Sequence, residues 1–230
     1  MNFHGFQRVT LLDYPGKVAS TVFLGGCNFR CPFCHNATLV EHPTRYQSIS
    51  PDEVLQYLRT KSKILDGVCI TGGEPLLYDI APFLREVKDI GLLVKLDHNG
   101  TMPQKLRELM EQGLLDYVAV DIKNSPQKYG LTVGVENFEI APILETIQLL
   151  QNGSVDYEFR TTVVNGLHEA SDFHEIGKMI QGDSKYFLQQ YVDSGDIIHN
   201  NNFSSYTHKE MQEFADIVKP CVPNVQVRGI

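Results

Sequence analysis

Three of the chain's five cysteines, Cys27, Cys31 and Cys34, fall within eight residues, in the stretch Gly25-Gly26-Cys27-Asn28-Phe29-Arg30-Cys31-Pro32-Phe33-Cys34-His35-Asn36. Thiols this close together read as ligands or reactive groups rather than as three small core residues. Four chemistries compete for them. Cys31-Pro32-Phe33-Cys34 has thioredoxin-type C-x-x-C spacing, but that leaves Cys27 idle, and 230 residues are far too many for that small fold. Cys31-x-x-Cys34-His35 matches the attachment pattern of c-type haem, which needs export. Asp13, Pro15 and Gly16 break the stretch 1–17, which has no apolar h-region and is not expected to be a signal peptide. A structural zinc site closes with four ligands, and the nearest fourth, His35, adjoins Cys34, which makes a tetrahedron awkward. An iron–sulfur cluster fits best. Thiolates suit its iron, and three ligands in place of the usual four leave one iron open.

Further groups lie at the ends of β-rich runs. Gly72-Gly73-Glu74-Pro75 follows Val68-Cys69-Ile70-Thr71. Two glycines let backbone approach a ligand closely, and a carboxylate there can accept from an ammonium group. A turn with a solvated glutamate has the same pattern. Asp97-His98-Asn99-Gly100 and Asp121-Ile122-Lys123 end two more runs. Arg160, in Tyr157-Glu158-Phe159-Arg160-Thr161-Thr162-Val163-Val164, is suited to a bidentate grip on a carboxylate or to a structural ion pair. Gln189 and Gln190 are neighbours in Phe187-Leu188-Gln189-Gln190-Tyr191, so only one of them faces inward. Cys69 and Cys221 lie outside the cluster spacing and read as small core or surface residues.

The elements that must carry these groups alternate from end to end. Strands are expected at 18–24, 67–71, 92–98, 116–123, 156–164, 185–192 and 224–228. Helices are expected near 51–63, 80–90, 103–111, 140–150, 171–180 and 207–218. Ser50-Pro51-Asp52-Glu53 and Thr207-His208-Lys209-Glu210 carry helix-start signatures. Repeated βα units imply parallel strands and right-handed crossovers, closing wholly or partly into a barrel within one domain, 1–230. Segment 125–139 reads as a loop. Charges sit within the strands: Asp121 and Lys123, Lys95 and Asp97, Glu158 and Arg160. If the apolar faces meet the helices, these charges point inward, where they must be paired or bound to something polar. Internal pairs such as Asp121 with Arg160 are one reading; a charged ligand across the sheet is the other.

A net charge of −8 disfavours non-specific nucleic-acid binding, which needs a basic surface. No apolar run approaches the ~18 residues of a membrane helix. A cytoplasmic location is expected, with reduced thiols and no disulfide framework.

C-x3-C-x2-C with Phe33 before the last cysteine resembles the signature of the radical S-adenosylmethionine superfamily. The resemblance implies an α/β fold, a partial (β/α)6 barrel with the cluster loop after its first strand. It implies a [4Fe–4S] cluster on Cys27, Cys31 and Cys34, whose open iron chelates the amino and carboxylate groups of S-adenosylmethionine. The aromatic position, Phe33, lies near the adenine in that family. Gly72-Gly73-Glu74-Pro75 is similar to the superfamily's GGEP motif, which holds the amino group. Asp97-His98-Asn99-Gly100 and Asp121-Ile122-Lys123 resemble motifs of the glycyl-radical activating enzymes that approach the carboxylate and ribose, in some cases around a monovalent cation. His98 departs from the usual threonine and is expected to be an exposed strand-end residue. Contacts to S-adenosylmethionine are thus implied for Phe33, Cys34, His35, Gly72, Gly73, Glu74, Pro75, Asp97, Asn99, Asp121, Lys123, Arg160 and Gln189.

Thr10-Leu11-Leu12-Asp13-Tyr14-Pro15-Gly16-Lys17, Leu65-Asp66-Gly67-Val68 and the Arg160 segment are similar to the compact anaerobic ribonucleoside-triphosphate reductase activating proteins. Segment 37–66 holds no cysteine, so one cluster is expected. The resemblance implies an electron from a flavodoxin or ferredoxin, reductive cleavage to a 5′-deoxyadenosyl radical, and transfer of that radical to a glycine on the reductase large subunit. No side chain is needed as a general base. The alternatives are activation of another glycyl-radical enzyme, radical chemistry on a small molecule, and a non-catalytic metal-binding module.

Overall fold

The computed structural model of the protein describes residues 1–193, 195–198 and 203–229. Its chain divides into two compact units. The first comprises 1–28, 36–98 and 104–119; the second comprises 29–35, 99–103 and 120–230, as far as described.

The first unit contains β1 (Gly5–Thr10), β2 (Ala19–Leu24), α1 (Ala37–Glu41), α2 (Pro51–Lys61), β3 (Gly67–Gly72), α3 (Ala81–Asp89), β4 (Leu93–His98) and nearly all of α4 (Pro103–Glu111). β2, β3 and β4 are parallel neighbours, with Ala19 opposite Gly67 and Gly67 opposite Leu93. Their inner residues Val22, Leu24, Val68, Ile70, Val94 and Leu96 are all fully buried. Near-continuous apolar runs are what a parallel strand covered on both faces requires. The helices answer with Val54, Leu55 and Leu58 on α2, and Phe83, Leu84 and Val87 on α3. Each such side chain contributes roughly 1.5–3 kcal/mol on burial. As expected, α2 begins at Ser50, whose hydroxyl accepts from the Glu53 amide at 3.2 Å. β1 was not expected. It pairs antiparallel with β2, Gly5 opposite Phe23, and leaves Gln7, Arg8 and Val9 exposed.

The second unit contains α5 (Tyr129–Val133), α6 (Ala141–Gln151), β6 (Asp156–Val163), α7 (Ala170–Met179), β7 (Lys185–Gln190), α8 (His208–Val218) and β8 (Val225–Arg228). β5 (Tyr117–Asp121) is divided, with Val120 and Asp121 belonging here. β6, β7 and β8 are parallel neighbours, with Arg160 opposite Phe187 and Phe187 opposite Gln226. β6 continues to the end of β5 through the Ile122 amide, which donates to the Arg160 carbonyl at 2.8 Å. α7 and α8 meet through Phe173 stacked on Phe214, ring centres 4.5 Å apart. The Thr207–Glu210 capping box is formed in both directions, at 3.3 and 2.8 Å. Segment 125–139, expected as a loop, contains α5. No helix among the described residues is long and apolar enough to cross a membrane.

Candidate functional site

In the first unit, Cys27 follows β2 on a stem built by backbone contacts. The Gly73 amide donates to the Leu24 carbonyl at 2.8 Å, and the Glu74 amide donates to the Gly26 carbonyl at 2.9 Å. The Gly26 amide in turn donates to the Leu39 carbonyl at 3.0 Å, and the Tyr78 hydroxyl to the Gly25 carbonyl at 2.9 Å. The paired glycines therefore have a local reason: they let β3 run on past Leu24 to Gly26 at backbone contact. Asn36 Nδ2 donates to the Gly72 carbonyl at 3.1 Å, fixing the far side of the same turn. Sequence reasoning passed over Tyr78 and Asn36 as supports. Asn36 lies two residues after Cys34, where its place beside the cysteines is the only signal; Tyr78 carries none.

Glu74 is fully buried, so the solvated-turn reading does not hold. One carboxylate oxygen accepts from the Leu76 amide at 2.9 Å and starts the short turn Pro75–Leu77. Pro75 is buried beside it. Asp97, at the end of β4, is paired with the buried Lys95, and Thr71 Oγ1 donates to its other oxygen at 3.4 Å. His98, expected to be exposed, is buried, because its side chain continues the alternation of β4 into the covered layer.

In the second unit, Cys31 is buried and Cys34 half-buried, joined by a turn in which the Cys34 amide donates to the Cys31 carbonyl at 3.0 Å. Phe33 is buried between them. His35 is exposed, edge-on to Tyr191 at 5.5 Å, and its pKa is lowered by partial burial and then by the Lys123 ammonium. Asp121 binds Arg160 Nε at 3.0 Å through one oxygen and Lys123 Nζ at 3.0 Å through the other. Burial alone would raise its pKa; Arg160 and Lys123 outweigh it and hold the carboxyl well below the usual range. Lys123 is half-buried, and its desolvation is outweighed first by Asp121 and then by Cys31, with Cys34 adding to it, so its ammonium is firmly charged. The expected internal ion pair is thus present. A second pair lies on the same face of β6, where Glu158 faces Arg228 with both oxygens 3.4 Å from its guanidinium. Gln189 is opposite Thr162 and so shares the face of Arg160, whereas Gln190 donates to the Tyr206 carbonyl at 2.6 Å. Asn99 accepts from the Thr101 amide at 3.1 Å and stabilises the turn after β4.

None of the five cysteines is joined in a disulfide. The donor set therefore has the chemistry of an iron–sulfur site, and a fixed ammonium near Cys31 and Cys34 offsets thiolate charge. Among the described residues no three His, Cys, Asp or Glu side chains are gathered at one point for a metal ion, so the assignment rests on thiol identity and spacing.

Residues 21–180 match the family described as the radical SAM superfamily. A pyruvate formate-lyase-activating enzyme of Listeria monocytogenes is 29% identical over 222 residues, covering 90% of this chain and 85% of its own. The solved structure of a domain of pyruvate-formate lyase-activating enzyme from Bacteroides vulgatus superposes with a TM-score of 0.57 at 17% identity. The match covers 71% of this chain and 99% of the solved one, and the two share their α/β fold. A candidate glycyl-radical enzyme activating enzyme of Methanocaldococcus jannaschii is 32% identical over 235 residues, 98% of this chain and 95% of its own. Identity sustained over nearly the full length of both chains makes this protein a radical S-adenosylmethionine enzyme of the glycyl-radical enzyme activating family, with that superfamily's cofactors, a [4Fe–4S] cluster and S-adenosylmethionine.

Proposed function

We propose that the protein generates a glycyl radical on an anaerobic ribonucleoside-triphosphate reductase, taking its electron from a flavodoxin or ferredoxin. Cys27, Cys31 and Cys34 are the cluster ligands in this reading. When bound, the cluster and S-adenosylmethionine supply a 5′-deoxyadenosyl radical. The chain's residues bind, orient and exclude water. Glu74, already buried and fixed by the Leu76 amide, accepts from the ligand's ammonium group. Lys123 and Arg160 stay charged through Asp121 and offer cationic donors to a carboxylate.

What supports the choice of partner is the similarity of the Asp13-Tyr14-Pro15-Gly16 and Arg160 segments to the compact reductase activating proteins, together with the short connection from Cys34 to β3. Segment 37–66 holds only α1, a single turn and α2, and no cysteine, so there is no place for the additional clusters other activating enzymes carry. A second reading, activation of a pyruvate formate-lyase-type enzyme, is favoured by the Listeria relative.

The experiment mixes reduced protein, S-adenosylmethionine and the candidate reductase without oxygen and records an electron paramagnetic resonance spectrum. A glycyl doublet is expected, absent when Cys31 is replaced by Ala or when the reductase's radical glycine is replaced. A doublet on a formate-lyase-type protein and none on the reductase would transfer the assignment to the second reading.

A further inference from the structure

α5 has its two ends bound to two different parts of the second unit. On one side it grips the end of β5. The Tyr129 hydroxyl accepts from the Lys123 amide at 3.3 Å and donates to the Asp121 carbonyl at 3.4 Å, and the whole side chain is buried. Asn124 Nδ2 donates to Thr132 Oγ1 at 2.8 Å. On the other side α5 grips the cysteine loop. The Val133 carbonyl accepts from the Arg30 amide at 2.8 Å. Phe138 stacks on Tyr129 at 5.0 Å and meets the edge of Phe29 at 5.6 Å. Between them stands Gly134 at φ +66°, ending α5 in the left-handed region. A Cβ placed there would lie 3.0 Å from the Arg30 carbonyl carbon, 3.2 Å from Arg30 Cβ, and closer still to the carbonyl oxygen. That carbonyl belongs to the peptide bond joining Arg30 to Cys31.

We propose that α5 and Gly134 form a positioning device that sets where Cys31 stands relative to the Asp121–Lys123 strand end. The proposal rests on the reading that Cys31 is a cluster ligand. Its physical content is that two backbone contacts, the Val133–Arg30 hydrogen bond and the Gly134–Arg30 approach, define the position of the peptide before Cys31. The ring stack of Phe29, Phe138 and Tyr129 keeps α5 itself from yielding. A side chain at 134 meets the Arg30 carbonyl, a backbone group that cannot rotate away as a side chain can, and so presses on the peptide that carries Cys31.

Gly113 supplies the control. Its φ is also +66°, but a Cβ there meets nothing within 4 Å. Gly113→Ala therefore imposes the same left-handed conformation on an L residue without the steric approach. The readout is the rate at which iodoacetamide alkylates Cys31 in the metal-free protein, followed by mass spectrometry, together with the resonance spectrum of the anaerobically reconstituted, reduced cluster. Cys31 is only 7% exposed and so is slow in the native chain. In Gly134→Ala, Cys31 should be alkylated roughly tenfold faster, equivalent to about 1.4 kcal/mol in the local opening equilibrium. The cluster spectrum should change with it, while Gly113→Ala keeps both native values. Native alkylation and a native spectrum in Gly134→Ala would overturn the proposal. If Gly134→Ala does not fold, Phe138→Leu loosens the same support by a milder route, and a native Cys31 rate there overturns the proposal equally. A wild-type chain that takes up no cluster would instead defeat the proposed function, and the alkylation comparison would still decide the positioning role.

Discussion

Gly73 lies in backbone contact with Gly26: a Cβ on Gly73 would stand 2.6 Å from the Gly26 carbonyl carbon, with the carbonyl oxygen nearer still. Both neighbours are backbone atoms, so no side chain can rotate away. Gly73→Ala must therefore push β3 from the stem that carries Cys27, breaking the 2.8 Å and 2.9 Å hydrogen bonds on either side. The cost should be about 3 kcal/mol, the upper part of the range for overpacking. Urea unfolding measures it, and a loss below about 1 kcal/mol would mean the stem can flex.

Glu74→Gln separates ligand binding from local structure. Glutamine keeps an oxygen for the Leu76 amide, which Glu74 satisfies at 2.9 Å, so stability should change by about 1 kcal/mol or less. It cannot present a negative charge to an ammonium group. Affinity for S-adenosylmethionine should fall by about 1.5–3 kcal/mol, the usual worth of a hydrogen bond to a charged group. Isothermal titration on cluster-loaded protein reads the difference; an unchanged dissociation constant would reduce Glu74 to the cap of its turn.

The parts legible in the sequence were those fixed by local chemistry. The spacing of the three cysteines, the Gly72–Pro75 turn and the Ser50 and Thr207 caps each depend on residues a few positions apart. β1 was missed because Gly5–Thr10 lacks strand alternation: Gln7, Arg8 and Val9 are all exposed, and its partner β2 is reached only through antiparallel pairing. α5 was missed because Tyr-Gly-Leu-Thr-Val is a poor helix by propensity, with a glycine and two β-branched residues in five. Its helicity comes from burial of Tyr129, Thr132 and Val133, a tertiary effect that no local pattern carries. Gln189 and Gln190 could be told apart only once the register of β7 against β6 was known.

His168 should make stability depend on pH near neutrality. Its ring is buried, Nδ1 accepts from the Val164 amide at 3.1 Å, and Nε2 lies 2.8 Å from the Lys123 carbonyl. With Nδ1 accepting, the proton sits on Nε2, and the neutral ring ties the loop after β6 to the end of β5. Burial is the main cause lowering its pKa, against the hydrogen bond to the Lys123 carbonyl and the nearby Asp172, which favour the charged form; Lys128 opposes that form, as does the Val164 amide, which donates to an unprotonated Nδ1. The sign follows from where the proton binds. Below the ordinary imidazole value of 6.5 the unfolded chain takes up a proton that the folded ring resists, so the folded state loses stability as pH falls through that window toward the lowered folded pKa. Above 6.5 both states are neutral and the contribution is fully present. The loss cannot exceed about 1.4 kcal/mol per pH unit for one proton. His168→Gln retains polar groups but does not titrate, so it should be less stable than the wild type at pH 7.5 and show a shallower decline toward pH 5.5. Urea midpoints across that range give the comparison. Parallel declines in the two proteins would show that His168 does not couple folding to protonation, and that the acid sensitivity of the chain arises elsewhere.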